Sequence, residues 1–131
     1  MAKEVTVLVV DDEPEVCWAL DTLLRRHGFT VVTMDSGARA LGWLNRPDQD
    51  CRLILLDAKL GDIDGVELAR RIRADTRCTA PVILVSGYFY RDDSVVQDSL
   101  SAGLIAAFVT KPFQHDEILS AISIVLQKQK L

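Results

Sequence analysis

The sequence predicts an α/β domain built as a doubly wound, five-stranded parallel sheet with five helices, a three-layer sandwich. Three observations carry this reading. Short apolar runs alternate five times with segments of helical periodicity across short connections, the pattern of a parallel sheet with right-handed crossovers and helices on both faces. A run such as Leu53 to Leu56 is continuously apolar, as a strand covered on both faces should be. Polar residues stand at the ends of the strand runs, at the edge where such sheets bind ligands.

Val5 to Val10 reads as the first strand. Pro14 suits a first helical turn, with acids on either side that complement a helix start. Val16, Ala19, Leu20, Leu23 and Leu24 then recur at helical spacing, and Gly28 supplies a stop. His27 falls at that helix end, where capping is favoured over metal ligation. Phe29 to Met34 is rich in β-branched residues and reads as the second strand. Ser36 caps a short helix expected to carry Ala38, Leu41 and Leu44 inward, and Asn45 to Asp50, with Pro47 inside, is a turn. Cys51 to Leu56 is the third strand, and Gly61-Asp62-Ile63-Asp64-Gly65 has loop chemistry. Val66, Ala69 and Ile72 mark a third helix ending near Asp75. Pro81 introduces the fourth strand, Val82 to Val85. A fourth helix from about Ser94 to Ala102 carries Val95, Val96 and Leu100, closed by Gly103. Ala106 to Thr110 is the fifth strand. Ile118, Leu119, Ile122, Val125 and Leu126 form the stripe of a final amphipathic helix, expected to be core.

The bulk composition narrows the classes. At 131 residues and 49% hydrophobic the chain suits one domain, residues 1–131, able to bury a core without staples. A net charge of −4 and a pI of about 5.1 advertise neither nucleic acid nor an anionic membrane surface as a partner. Lys3-Glu4 runs straight into a short strand, with no signal-peptide pattern and no bilayer-spanning apolar stretch, so a cytoplasmic location is expected. Cys17, Cys51 and Cys78 are odd in number and far apart in the chain, which points to reduced packing thiols rather than to a zinc site.

Asp11, Asp12 and Asp57 each lie directly after an apolar strand run. In a parallel sheet they converge at one edge, where carboxylates a few ångströms apart repel by about 4 kcal/mol per pair at an effective dielectric near 20. Such a cluster calls for a cation, and hard oxygen ligands suit Mg2+. Ser86 and Lys111 fall at the same edge. Taken singly, these residues read as a helix cap, a loop acid, a turn former and a solvated cation. Together they supply metal ligands, a carboxylate nucleophile, a hydroxyl donor and a phosphate-binding ammonium.

Val9-Val10-Asp11-Asp12-Glu13-Pro14, Leu55-Leu56-Asp57 with Gly65 eight residues on, Val85-Ser86-Gly87 and Thr110-Lys111-Pro112-Phe113 resemble the receiver domain of bacterial two-component response regulators, the family that includes the single-domain chemotaxis regulator. The resemblance covers nearly the whole chain. It implies a flavodoxin-like sheet in the order 2-1-3-4-5, with Asp57 accepting a phosphoryl group from a sensor histidine kinase or phosphotransfer protein. By the same resemblance Asp12 binds Mg2+ directly, Asp11 assists through water, and Lys59 offers only its backbone carbonyl. Ser86 bonds a phosphoryl oxygen and Lys111 neutralises another. Ser86 and Phe108 form the switch that remodels the face of helix four, strand five and helix five toward an output domain or effector. A phosphorylation-dependent dimer and a transcriptional role through a separate output domain also fall within what the family implies. Three carboxylates and one lysine sum to −2, which one Mg2+ brings to zero. Three departures stand out: Gly61 where proline is common, Gly87 where alanine is usual, and one extra residue between Gly103 and Lys111, which predicts a shifted or bulged start to the fifth strand.

Rival classes fit less well. A dehalogenase-type phosphatase would need Asp-x-Asp where Asp57-Ala58-Lys59 stands. A flavodoxin-type cofactor protein would need a phosphate-cradling first loop, which Asp11-Asp12-Glu13 would repel. A receiver-like interaction module that works without phosphorylation is the remaining alternative, and the complete set of Asp11, Asp12, Asp57, Ser86 and Lys111 argues against it. Tyr88-Phe89-Tyr90 adds aromatics at the site mouth, read as loop packing ahead of partner docking.

Overall fold

The structure, a computed structural model, describes residues 5–129. Lys3 and Glu4, and Lys130 of the terminal Gln127-Lys128-Gln129-Lys130 run, lie outside the described residues. The elements alternate as β1 (Thr6–Val10), α1 (Pro14–Arg26), β2 (Thr30–Met34), α2 (Gly37–Leu44), β3 (Cys51–Asp57), α3 (Gly65–Asp75), β4 (Val82–Ser86), α4 (Ser94–Ser101), β5 (Ala107–Thr110) and α5 (His115–Lys128). The strands form one parallel sheet in the order β2-β1-β3-β4-β5, as expected.

Side chains on successive strand residues point to opposite faces, and both faces are covered. Val7 and Val9 of β1, Leu53 and Leu55 of β3, and Ile83 and Val85 of β4 pack with Leu20, Leu23 and Leu24 of α1 and Ile118, Ile122 and Val125 of α5. Leu8, Val10, Ile54, Leu56 and Leu84 go the other way, onto Ala40 and Leu44 of α2, Leu68 and Ile72 of α3, and Val96 of α4. The unbroken apolar runs are therefore two interleaved faces. Each fully buried Leu or Ile contributes about 1.5–3 kcal/mol from removal of its surface from water.

The helix ends follow from local chemistry. Pro14 opens α1, where a missing N–H costs nothing. His27 closes it, its Nδ1 bonded to the Leu23 carbonyl at 3.0 Å, and Gly28 follows at φ +88°, the left-handed turn that glycine makes without penalty. Ser36 Oγ accepts from the Arg39 N–H at 3.2 Å at the start of α2, and Gln114 with Glu117 forms a capping box on α5.

Three expectations need correction or refinement. Ala38 is exposed, while Ala40 is fully buried. α2 starts at Gly37 and turns the Ala40–Leu44 edge inward. Val95 of α4 is likewise 41% exposed, leaving Val96 and Ser99 as its buried residues. The fifth strand begins at Ala107, one residue later than expected, and pairs regularly with β4 from Ile83↔Ala107 to Ser86↔Thr110. The extra residue is taken up ahead of the strand, where the N–H groups of Leu104 and Ile105 both reach the Ser99 carbonyl. Among the cysteines, Cys78 is buried, and Cys17 and Cys51 are part-buried. Cys51 and Cys78, distant in the chain, are neighbours whose thiols interact, which lowers the Cys78 thiol.

The β3–α3 connection frames the carboxyl edge of the sheet beside Asp57. Gly65 donates to the Ala58 carbonyl at 2.7 Å, and a Cβ at this position would fall on the Asp57 carbonyl oxygen and lie 2.8 Å from Ala58 Cα. At the loop tip, Asp62 accepts from the N–H groups of Gly37 and Ala38 at 3.0 Å each, tying the loop to α2. These bonds lower the Asp62 pKa. Replacing Gly65 by Ala is expected to destabilise the domain by about 1–3 kcal/mol through overpacking against backbone that cannot move independently of Asp57. Urea titration should show a lower midpoint at unchanged slope.

Candidate functional site

Parallel strands deliver their carboxyl ends to one edge, and four of them supply the candidate residues, with Asp11 and Asp12 both following β1. Asp11 follows β1, and its N–H still reaches Met34 O on β2 at 3.1 Å. Asp57 is the last residue of β3, Ser86 the last of β4. Lys111 follows β5, with its N–H on the Ser86 carbonyl at 2.9 Å. In this strand order β1 and β3 are neighbours whose connections leave in opposite directions, so the edge opens a crevice between them. Asp11 and Asp12 stand on one side of it and Asp57 on the other.

Lys111 is the hub. Its Nζ lies 2.7 Å from Asp11 Oδ2, 3.2 Å from Glu13 Oε1 and 3.4 Å from Asp57 Oδ1. Asp11 and Asp57 are buried, while Asp12 is exposed. Burial, followed by the charge of Asp11, pushes the Asp57 carboxyl pKa up against the opposing pull of Lys111. Burial works against the Lys111 ammonium, but the hydrogen bond to Asp11, its charge and that of Asp57 outweigh it, and the lysine pKa is raised. Cys17, whose thiol donates to the Asp11 carbonyl at 3.2 Å, is pushed to about 11 by burial and by the Asp11 charge, so it sits beside the site as an inert thiol.

Asp11, Asp12 and Asp57 each offer a carboxylate oxygen within 4.8 Å of the others. Octahedral Mg2+ holds its ligands at about 2.0–2.1 Å, so opposed oxygens lie about 4.2 Å apart. An all-oxygen set that is partly solvent-facing and short of positive charge fits this ion. The Lys59 side chain does not enter the cluster: its Nζ lies 4.3 Å over the Tyr88 ring, and its backbone bridges to Asp64.

Ser86 is fully buried, and its Oγ accepts from the Tyr88 N–H at 2.8 Å and the Phe89 N–H at 3.2 Å. Its own proton stays available for donation. Phe89 packs against the core and meets Tyr88 edge-on at 4.9 Å, in line with loop packing. Tyr88 and Tyr90 remain 60% and 73% exposed. Phe108 pairs with Leu84 and is buried in the core. Arg91 donates to its carbonyl at 3.0 Å and stands over its ring at 6.0 Å. A Cβ at Gly61 or Gly87 would make only ordinary contacts, with Asp12 Oδ2 and with Lys111, so neither glycine is demanded by close packing.

Glu13 and Arg91 escaped the sequence reading as site residues. Glu13 read as a helix-start acid, and the Asp-Asp-Glu run was the available signal. Arg91 had none, since its contact with Phe108 spans two elements. With Glu13 counted, the charges around Lys111 sum to −3 rather than −2.

Comparison with known proteins matches residues 7–123 to the response regulator receiver domain family. The chain is similar to the cell cycle transcriptional regulator CtrA of Caulobacter vibrioides, 31% identical over 95% of this chain and 51% of that protein. It is also similar to the transcriptional regulatory protein CseB of Streptomyces avermitilis, 38% identical over 98% of this chain and 52% of that protein. The chain thus spans about half the length of the curated relatives it matches. Among solved structures, the CheY-like receiver domain protein of Methanospirillum hungatei superimposes with a TM-score of 0.83 at 27% identity, covering 98% of both chains. The receiver domain of a Vibrio parahaemolyticus LuxO repressor protein superimposes at 0.84 and 20% identity, over 98% of this chain and 94% of that one.

Because the folded-state pKa of Asp57 is raised, the fold favours its protonated form. That stabilisation is present at low pH and lost as pH rises through the raised pKa. Without divalent metal, Asp57→Asn is therefore expected to be more stable than the parent at neutral pH. The gap should close as pH falls through the carboxylate range, as read by thermal melts in EDTA.

Proposed function

Since the chain belongs to the response regulator receiver domain family, we propose that it is a single receiver domain that takes up a phosphoryl group on Asp57 and converts it into a change of surface. The observation that carries this reading is the meeting of Asp11, Asp12, Asp57 and Lys111 at one crevice, delivered by the ends of three different strands, β1, β3 and β5.

A carboxylate oxygen of Asp57 attacks the phosphorus of a donor phosphohistidine. The P–N bond breaks, its electron pair stays on the imidazole, which takes up a proton, and the product on Asp57 is a mixed anhydride. Asp12 and Asp57, the Lys59 backbone carbonyl, and Asp11 through water would hold Mg2+. When bound, that ion supplies the positive charge that lets two anions approach. Lys111 pairs with one phosphoryl oxygen, and the Ser86 hydroxyl donates to another. The domain thus acts as a phosphoacceptor rather than as an enzyme on external substrates.

Ser86 also offers a route outward. Its Oγ holds the N–H groups of Tyr88 and Phe89, so a hydroxyl drawn toward the phosphoryl group draws the β4–α4 loop with it. Phe108, buried beside β4 and gripped by Arg91, then links the site to the α4–β5–α5 face. Moving such a switch from 1:99 to 99:1 takes about 5.5 kcal/mol of differential binding.

The phosphodonor is a sensor histidine kinase or phosphotransfer protein, and the recipient is an output domain or effector, with a phosphorylation-dependent dimer as one form of readout. The names and lengths of the CtrA and CseB relatives favour transcriptional output through a separate domain. The net charge of −4 does not favour direct binding of nucleic acid by this chain, and no described helix is long and apolar enough to cross a membrane. A cytoplasmic setting fits this role.

Incubation with Mg2+ and acetyl phosphate is expected to add one phosphoryl group by mass. Asp57→Asn should abolish the gain, and Mg2+ should change the fluorescence of Trp18, which shares a cleft with Asp12. No gain and no Mg2+ response would instead favour the interaction module that works without phosphorylation. Ser86→Ala is expected still to accept phosphate but to lose about 1.5–3 kcal/mol of the switching free energy. Reduced phosphorylation-dependent change in hydrogen exchange around Phe108 would report it.

A further inference from the structure

We propose that Glu13 is a positioning residue for phosphoryl uptake: it holds part of the Lys111 ammonium in the resting site and yields it to the incoming phosphoryl oxygen. The inference rests on Asp57 being the acceptor. Of the three carboxylates around Lys111 Nζ, that of Asp57 is the farthest at 3.4 Å, behind Asp11 at 2.7 Å and Glu13 at 3.2 Å. The lysine that must neutralise the phosphoryl group is thus committed elsewhere beforehand.

Burial decides which partner can let go. The Asp11 side chain is 4% exposed, and its other oxygen is held by the Glu13 N–H at 2.9 Å. An unpaired charge there would have no water to replace its partner. The Glu13 side chain is 53% exposed. Among the described residues its carboxylate has Lys111 as its only side-chain partner, so it can turn into solvent and be rehydrated. Glu13 is outside the group of carboxylates whose oxygens lie within 4.8 Å of one another, and its side chain makes no capping bond to α1. It therefore acts through Lys111 rather than on a metal.

The charge count gives the direction. With Glu13 included the cluster stands at −3, and at −1 with one divalent cation, so an arriving anion meets residual repulsion that the other four residues alone would not present. Neutralising Glu13 without changing its shape should ease anion entry.

The test compares beryllium fluoride affinity and the rate of phosphoryl uptake from acetyl phosphate at saturating Mg2+ in the parent, Glu13→Gln and Glu15→Gln. Glu15 is an exposed acid in the same helical turn. Glu13→Gln is expected to bind the anion and take up phosphate about two- to fivefold better, the range of a half-exposed ion pair. The gain should shrink at high salt, with melting in EDTA unchanged and Glu15→Gln close to the parent. Equal or weaker anion binding by Glu13→Gln, or the same gain in Glu15→Gln, overturns the proposal. A parent protein that binds no beryllium fluoride with Mg2+ overturns the reading of Asp57 and this inference with it. A parent that binds it while Glu13→Gln shows no gain overturns the inference alone.

Discussion

Everything at the functional edge follows from like charges that the sheet holds together. Asp11 and Asp57 are each fixed by backbone pairing, one at the end of β1 and the other within β3. The two strands are hydrogen-bonded neighbours, so the carboxylates cannot separate without breaking the ladder. The sheet is in turn stabilised by two apolar layers of far larger total free energy. The strain of the acid cluster is therefore borne by the core and relieved only locally, by Lys111 and by any cation that enters. A site of this kind responds to charge because its geometry is not free to respond instead.

The loops around the edge divide into anchors and carriers. The β3–α3 loop is an anchor: Gly65 lies directly against the Asp57 backbone, and Asp62 reaches across to the first N–H groups of α2. The β4–α4 loop is a carrier, hung on the Ser86 hydroxyl by two backbone N–H groups and on Phe108 through Arg91. A charge arriving at the crevice meets a rigid wall on one side and a movable attachment on the other. For the proposed phosphorylation switch, this asymmetry supplies a direction, toward α4, β5 and α5.

Much of the fold was legible in the chain. Continuous apolar runs can be buried on both faces only in a parallel sheet flanked by helices, and Gly28, Ser36 and Gly103 marked where helices stop or start. The errors were of phase rather than of kind. Ala38 and Ala40 are chemically identical neighbours on a short helix, and only the direction in which α2 crosses the sheet puts Ala40 in the core. The extra residue before β5 left no signal of where it would be absorbed, because that depends on the Ser99 carbonyl receiving both Leu104 and Ile105.

Strand–helix alternation, the acids and the lysine at the strand ends, and the net negative charge were determined by the sequence alone, because hydrophobic period and residue chemistry are local properties. Tertiary structure alone decided which charges share Lys111. Glu13 lies 98 residues from the ammonium it contacts, and no local pattern distinguishes it from a helix-start acid. It likewise decided that the Lys59 side chain turns to the Tyr88 ring, that Arg91 reaches Phe108, and that two remote cysteines become neighbours. Through-space Coulomb and stacking contacts depend on distance, which chain order does not encode until the sheet has closed.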